Sequence, residues 1–284
     1  MIAVVDDAVG EVRVRRLWRD PKVLIGLCIL VPLVLAAVFA PWLAPYDPKQ
    51  LGGPSLAGPS GDHWLGTDFF GRDMLSRVLF GARTSVSAAA VVGVGVLAIG
   101  APLGVLAGYV GGWVDTLIMR AVDIVLSLPW LLVALALATM LGFGFGTALV
   151  ALVIVYTPQL VRVTRNSVLA VRDREYVLAA RAIGESVPSV LGRYVVPNVV
   201  FPILVLLTSM MAYAILGEAA ISYLGVGTQP PQTSWGLELS DNQQYINIAA
   251  HLTIFPGVAI ALAVLSLNFI GDGIADHLGR IGQR

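Results

Sequence analysis

The chain has 284 residues, 57% of them hydrophobic and 13% charged, with a mean hydropathy of +0.82. Soluble domains carry about 25% charged residues, so this composition belongs to a membrane protein. Lys+Arg and Asp+Glu balance at 18 each, which argues against a nucleic-acid partner. The single cysteine, Cys28, excludes an internal disulfide and a Cys-based metal site, and His63, His251 and His277 lack ligand spacing, so no metal site is expected.

Residues 1–22 form a polar, basic tail with Arg13, Arg15, Arg16, Arg19 and Lys22. The apolar run 23–43 is long enough for a bilayer that needs about 20 residues, and a first transmembrane helix is assigned to 23–45. A cleaved signal peptide is the alternative, because Val38-x-Ala40 has the small residues of a cleavage site. The Pro41 that follows, and a run longer than the usual core of about 7–15 residues, favour a retained span. Residues 46–82 read as an extracytoplasmic loop, Pro/Gly-rich at first and then HWLGTDFFGRD over 63–73. Asp73 heads a short amphipathic helix, with Met74, Leu75, Val78 and Leu79 opposite Arg72, Ser76 and Arg77, expected to lie in the membrane interface.

Residues 83–272 read as a core of five further spans, at 85–108, 124–141, 147–163, 199–220 and 249–270. In the first of these, Gly100, Gly104 and Gly108 make a smooth stripe for close helix packing, and Pro102 allows a kink. Gly93-x-Gly95-x-x-Ala98 imitates a dinucleotide fingerprint, but no strand precedes it and it lies within an apolar span, so helix packing accounts for it. Residues 109–123 form a polar turn pinned by ion pairs of Asp115, Arg120 and Asp123. Gly142, Gly144 and Gly146 make a tight turn, and a second polar loop covers 222–248. A short tail, 273–284, carries Asp276, Arg280 and Arg284.

With the N-terminus inside, the inner segments hold fourteen Lys and Arg residues, six of them in 162–193. The outer loops hold four: Lys49, Arg72, Arg77 and Arg83. This asymmetry puts both termini and segment 165–197 in the cytoplasm.

Segment 165–197 is a polar island. Asp173 offers a helix cap, Glu175 puts negative charge in the first turn, and Tyr176, Ala179, Ala180 and Ile183 recur at helical spacing as one flat face. Gly184 marks a stop, Ser186 offers a second cap, and a second short helix runs to about residue 195 before Pro197 ends it. The pattern resembles the coupling loop of permease subunits in ATP-binding-cassette (ABC) importers: Glu-Ala-Ala, three residues, Gly, nine residues, Ile-x-Leu-Pro. Ala179, Ala180, Gly184 and Pro197 fall in register. Leu178 replaces the usual Glu, and Tyr194 and Val196 replace Ile and Leu; Glu175 is the carboxylate nearby that could stand in for the missing one. An ordinary amphipathic surface hairpin is the alternative.

Three more blocks resemble the C-type permease subunit of dipeptide and oligopeptide (and nickel) importers. They are His63-x-Leu65-Gly66-Thr67-Asp68-x-x-Gly71-Arg72-Asp73; Ala107 through Asp115, Arg120 and Asp123 to Pro129; and Glu218 to Gly227 with Pro230-Pro231 and Ser234-Trp235-Gly236. The resemblance implies an all-α integral membrane protein of six transmembrane helices, with the type I ABC importer permease fold, in the bacterial inner membrane. It implies a second homologous permease, two ATP-binding-cassette ATPase subunits, an extracytoplasmic substrate-binding protein, and the lipid bilayer as partners. It implies no cofactor here, ATP and Mg being bound by the ATPases. The only lysines, Lys22 and Lys49, do not follow a Gly, so no P-loop exists in this chain.

Glu175, Tyr176, Ala179, Ala180, Gly184 and Pro197 are the coupling candidates. Glu218 lies near the outer end of the fifth span, where a buried carboxylate needs a partner or a wet cavity; with Ser222 it is a pathway or gate candidate, the alternative being a structural hydrogen bond to the neighbouring loop. A metal site of His63, Asp68 and Asp73 is disfavoured, because capping and turn roles explain both aspartates. Trp64, Phe69, Phe70 and Trp235 read as interface anchors. A self-sufficient secondary transporter calls for internal repeats and several buried charges, neither of which is evident. An intramembrane enzyme is disfavoured because Ser127, Ser222 and His251 are scattered. Substrate alternatives to peptide are nickel or another small solute.

Overall fold

A computed structural model describes residues 20–282, with side chains through residue 277. Arg13, Arg15, Arg16, Arg19 and Arg284 of the expected tails lie outside the described residues, as does the side chain of Arg280. No strand forms among the described residues; one isolated bridge joins Thr67 and Asp73.

Helix α1 (Pro21–Leu43) starts where Asp20 accepts the Lys22 N–H at 3.0 Å and Pro21 takes a first-turn position that needs no N–H. Leu24, Val31, Leu35 and Phe39 stay exposed, as on a helix surrounded by acyl chains. Helix α2 (Met74–Val110) is 37 residues long, about 55 Å at 1.5 Å per residue, and so outreaches a hydrocarbon layer of about 30 Å.

The separate interfacial helix expected at Asp73 does not exist; its residues are the first turns of α2. Asp73 does cap, accepting the Ser76 N–H at 2.8 Å. But Ser76 and Arg77, expected to face headgroups, are buried: Ser76 donates to Asp73 and accepts the Tyr46 N–H at 3.2 Å, and Arg77 pairs with the distant Glu238.

Gly111 and Gly112, with φ of 70° and 58°, turn the chain into α3 (Gly112–Leu126), where a polar turn was expected. The third span is likewise not one helix. α3 and α4 (Trp130–Leu141) meet at 93° across Ser127–Pro129, because proline keeps the preceding residue out of helical geometry and lacks an N–H of its own. Counting this bent pair once, the described chain has six segments able to cross a membrane.

Helix α5 (Phe145–Arg172) extends well past its expected end at 163, since Leu160, Val161, Thr164 and Val168 continue one buried stripe. α6 (Glu175–Ala182) and α7 (Val187–Val190) follow, then a π-turn over Leu191–Val195 that leads directly into α8 (Val196–Tyr223). Pro197 therefore opens the fifth span rather than ending a short helix, a first-turn position where proline is tolerated. α9 (Trp235–Asn242) forms inside the loop expected at 222–248, and α10 (His251–Gly282) closes the chain.

The glycine stripe sets how tightly α2 packs on α5. A Cβ on Gly104 would lie 2.5 Å from Thr164 Cβ, and one on Gly108 would lie 2.8 Å from Val168 Cβ. Gly93 and Gly95 do the same against Met211 and Val153, so the fingerprint-like pattern is helix packing. A second core, around Trp235, joins α1, α2, α8, α9 and α10.

Candidate coupling surface and its anchoring

The inner ends of α2, α3 and α5 are tied by charge. Arg165 of α5 donates to both Asp115 oxygens, at 2.9 Å and 2.5 Å. Arg162 pairs with Asp123 at an exposed site, which contributes little. Arg172 donates to the Gly108 carbonyl at 2.7 Å, satisfying an orphan group at the end of α2. Arg120 is exposed and joins no ion pair among the described residues.

On this platform sits α6. Asp173, expected to cap it, instead ends α5; Arg174 holds the cap position without a side-chain bond. Glu175 does lie in the first turn. Val177 and Ala180 are buried in the core that includes Val168, Val190 and Val195. The Arg181 guanidinium lies 4.6 Å above the Tyr109 ring centroid and fastens α6 to α2.

The corner after α6 is closed by two backbone bonds. Gly184 N–H reaches the Arg181 carbonyl at 3.0 Å, and Glu185 N–H reaches that of Ala180 at 3.1 Å. This 6→1 and 5→2 pair needs a left-handed residue, and Gly184 supplies it with φ of +83°. Glu185 then accepts from Ser189 at 2.8 Å and Tyr194 at 3.0 Å, hydrogen bonds that hold its carboxyl below the ordinary carboxylate range.

Outward faces a different set. Tyr176, Leu178 and Ile183 are 44%, 47% and 78% exposed, and Glu175 and Ala179 are exposed beside them. Ala180 is therefore not on the outward face, contrary to the expected grouping; it is the floor on which α6 rests.

The outer side holds a second constellation. Thr67 and Asp68 are buried, and Gly66 and Gly71 adopt φ of 79° and 73°. Asp68 accepts from the Phe70 and Arg72 N–H groups at 2.9 Å each and pairs with the Arg72 side chain at 2.5 Å. His63 Nδ1 lies 3.0 Å from Asp73. Arg77 Nη2 lies 2.5 Å from Glu238, which also accepts from Thr233 at 2.6 Å. Burial beside Glu238 raises the Asp241 carboxyl above its ordinary value, against the pull of Arg77 and Arg72. Glu218 is fully buried and accepts from Ser222 at 2.7 Å, Ser85 at 3.0 Å and Thr228 at 3.1 Å.

The profile of the family described as binding-protein-dependent transport system inner membrane component matches residues 100–280. The chain belongs to this family. Residues 11–59 of the permease also match the N-terminal transmembrane domain of oligopeptide transport permease C. It is 40% identical to the dipeptide transport system permease protein DppC of Alkalihalophilus pseudofirmus, over 93% of this chain and 87% of that one. It is 38% identical to the glutathione transport system permease protein GsiD of Escherichia coli, over 93% and 88%. A chain of the MetNI methionine ABC transporter, solved in inward facing conformations, shares the fold with a TM-score of 0.59 and 20% identity, covering 70% of this chain and 94% of that one.

The permease is thus a multi-pass component of the bacterial inner membrane and a transport subunit rather than an enzyme. Its family works with ATPase and substrate-binding subunits.

Within the permease, Glu218 and Ser222 make the structural hydrogen bonds weighed as the alternative to a gate. Both have zero exposure even with no partner chain present, and three hydroxyls satisfy the carboxylate. Trp235 is no interface anchor either; it is fully buried, donates to the Val78 carbonyl at 3.0 Å and packs on Gly81. Pro231 lies at the surface beside Gln232, while Trp64, Phe69 and Phe70 are exposed. Reading the sequence missed Glu238 and Thr233; the signal available was a carboxylate two residues after the Gly236 that ends a matched block.

Proposed function

We propose that this permease is one of two membrane-spanning halves of an ATP-driven importer for dipeptides or oligopeptides. The substrate class rests on its 40% identity, over 93% of the chain, to a permease named for dipeptide transport. The observation that carries the coupling role is the outward face of α6: Tyr176, Ala179 and Ile183 are exposed on a helix locked from behind by Val177, Ala180 and Arg181. An exposed apolar face on a rigid mount fits a groove on another protein.

In this reading the complex holds a second, homologous permease, two ATPase subunits and an extracytoplasmic binding protein. ATP and Mg sit in the ATPases. Their closure displaces α6 as a lever, with Glu175, Tyr176, Ala179 and Gly184 at the contact. α6 is joined to α5 across Asp173 and Arg174 and, through the Gly184 corner, α7 and the π-turn, to α8. Motion at the cytoplasmic surface therefore reaches two spans at once. Pro197 acts by starting α8 there.

Affinity purification of the tagged chain from solubilised membranes, followed by peptide uptake in reconstituted vesicles, tests this. We expect co-purification of a permease and ATPases, and uptake of a dipeptide that needs ATP inside and the binding protein outside. A chain that purifies alone and transports without ATP overturns the proposal. ATP-driven uptake of nickel but not peptide overturns the substrate class only.

A further inference from the structure

Of the four outer basic residues, two are committed to ion pairs. Arg72 pairs with Asp68 and Asp241, and Arg77 with Glu238. Lys49 and Arg83 join no ion pair among the described residues, and both line a single cavity of about 710 Å³. Pro41 and Ala44 at the outer end of α1, Phe80 and Arg83 of α2, and Gln232 line it. Asp47 is the one acidic side chain of the lining, and its carboxylate accepts the Lys49 backbone N–H at 2.8 Å. The lining therefore carries two positive charges and one negative.

Depth narrows the ligand. α1 ends at Leu43, so Pro41 and Ala44 place the cavity at the outer end of a helix long and apolar enough to span a membrane. Arg83 sits just before the apolar stretch 85–108 of α2. α1 packs chiefly on α2 and α10, so the crevice lies on a flank, away from the core of α2, α5 and α8. Its place at the end of a spanning helix, off that core, is where a lipid headgroup would sit.

We propose that this crevice binds the phosphodiester of a membrane phospholipid. Lys49 and Arg83 hold the phosphate, and the acyl chains run into the bilayer from the outer end of α1. One negative phosphodiester balances the net single positive charge. The volume falls within the range of about 300–1,000 Å³ usual for ligand sites. The proposal is independent of which solute the permease carries.

The test is native mass spectrometry of the purified transporter complex. The probes are phosphatidylglycerol and a diacylglycerol with the same chains. Lys49→Gln/Arg83→Gln is compared with the wild type and with Arg120→Gln. The wild type should retain phosphatidylglycerol over diacylglycerol. Each removed cation should cost about fivefold in retention and the pair about 30-fold. Arg120→Gln should change nothing. Equal retention of the two lipids, or retention unchanged in the double variant, overturns the proposal. Acylation of Lys49 by an amine reagent gives a second reading that does not depend on the double variant assembling. Phosphatidylglycerol should protect Lys49. Equal protection by inorganic phosphate overturns the lipid source in favour of a soluble anion. Protection by the binding protein alone overturns it in favour of protein docking.

Discussion

Arg77 of α2 and Glu238 of α9 meet across 161 residues of sequence, with Nη2 2.5 Å from one carboxylate oxygen and Nε 2.9 Å from the other. Both side chains are buried, so each charge depends on the other. Removing one partner from a buried pair costs about 3–5 kcal/mol. Arg77 also lies 3.9 Å from both Asp68 and Asp241. Arg77→Met should therefore destabilise more than Glu238→Gln, which keeps the shape and removes one charge. Arg77→Met with Glu238→Leu should recover much of the loss. Thermal unfolding in detergent gives the order; equal stability of wild type and Arg77→Met contradicts it.

Glu218 makes a prediction of the opposite kind to a pathway residue. Its three hydroxyl donors bridge α8, α2 and the loop at Thr228. Glu218→Ala leaves those hydroxyls unpaired in the interior, at about 1–3 kcal/mol per unsatisfied group. The amount of folded protein should fall, while the KM of what remains should match the wild type. Uptake measured per folded transporter distinguishes the roles. A severalfold change in KM with full stability would restore Glu218 to the pathway.

Gly184 gives a graded series. No atom lies within 4 Å of a Cβ built on it, so space is not the constraint; its φ of +83° is. A non-glycine residue there costs about 1–2 kcal/mol, with Asn tolerated best and a β-branched residue worst. ATP-driven uptake should decline in the order Gly, Asn, Ala, Val, with membrane insertion intact throughout. Uptake by Gly184→Val equal to wild type would show that the corner is not needed for coupling.

The spans were legible in the sequence because apolar length alone reports them, and the stripe of Gly100, Gly104 and Gly108 announced a close helix contact before its partner was known. The corner at Gly184 was legible because positive φ has a strong residue preference. Misreadings came where local pattern and distant partner disagree. Arg77 looks like the polar side of an interfacial helix until Glu238 arrives from the other end of the chain. Glu218 left a gate and a structural hydrogen bond both open, and only the packing brings Ser85 and Thr228 to it. Hydropathy averaged across Ser127–Pro129 hides a 93° break that the proline itself was marking. On α6, helical spacing groups Ala179 with Ala180, but only the packing of Val177 shows which of the two points inward.

That last distinction gives the most direct test of the coupling claim. In a Cys28→Ser background, single cysteines are placed at Ala179, Ala180 and Ile183 in the assembled transporter. A thiol cross-linker then probes for the ATPase from the cytoplasmic side. Cysteines at 179 and 183 should cross-link to the ATPase and at 180 should not, with yields that change when ATP is added. Labelling of position 179 or 183 only from the outside, or no ATPase adduct at either, would contradict the account.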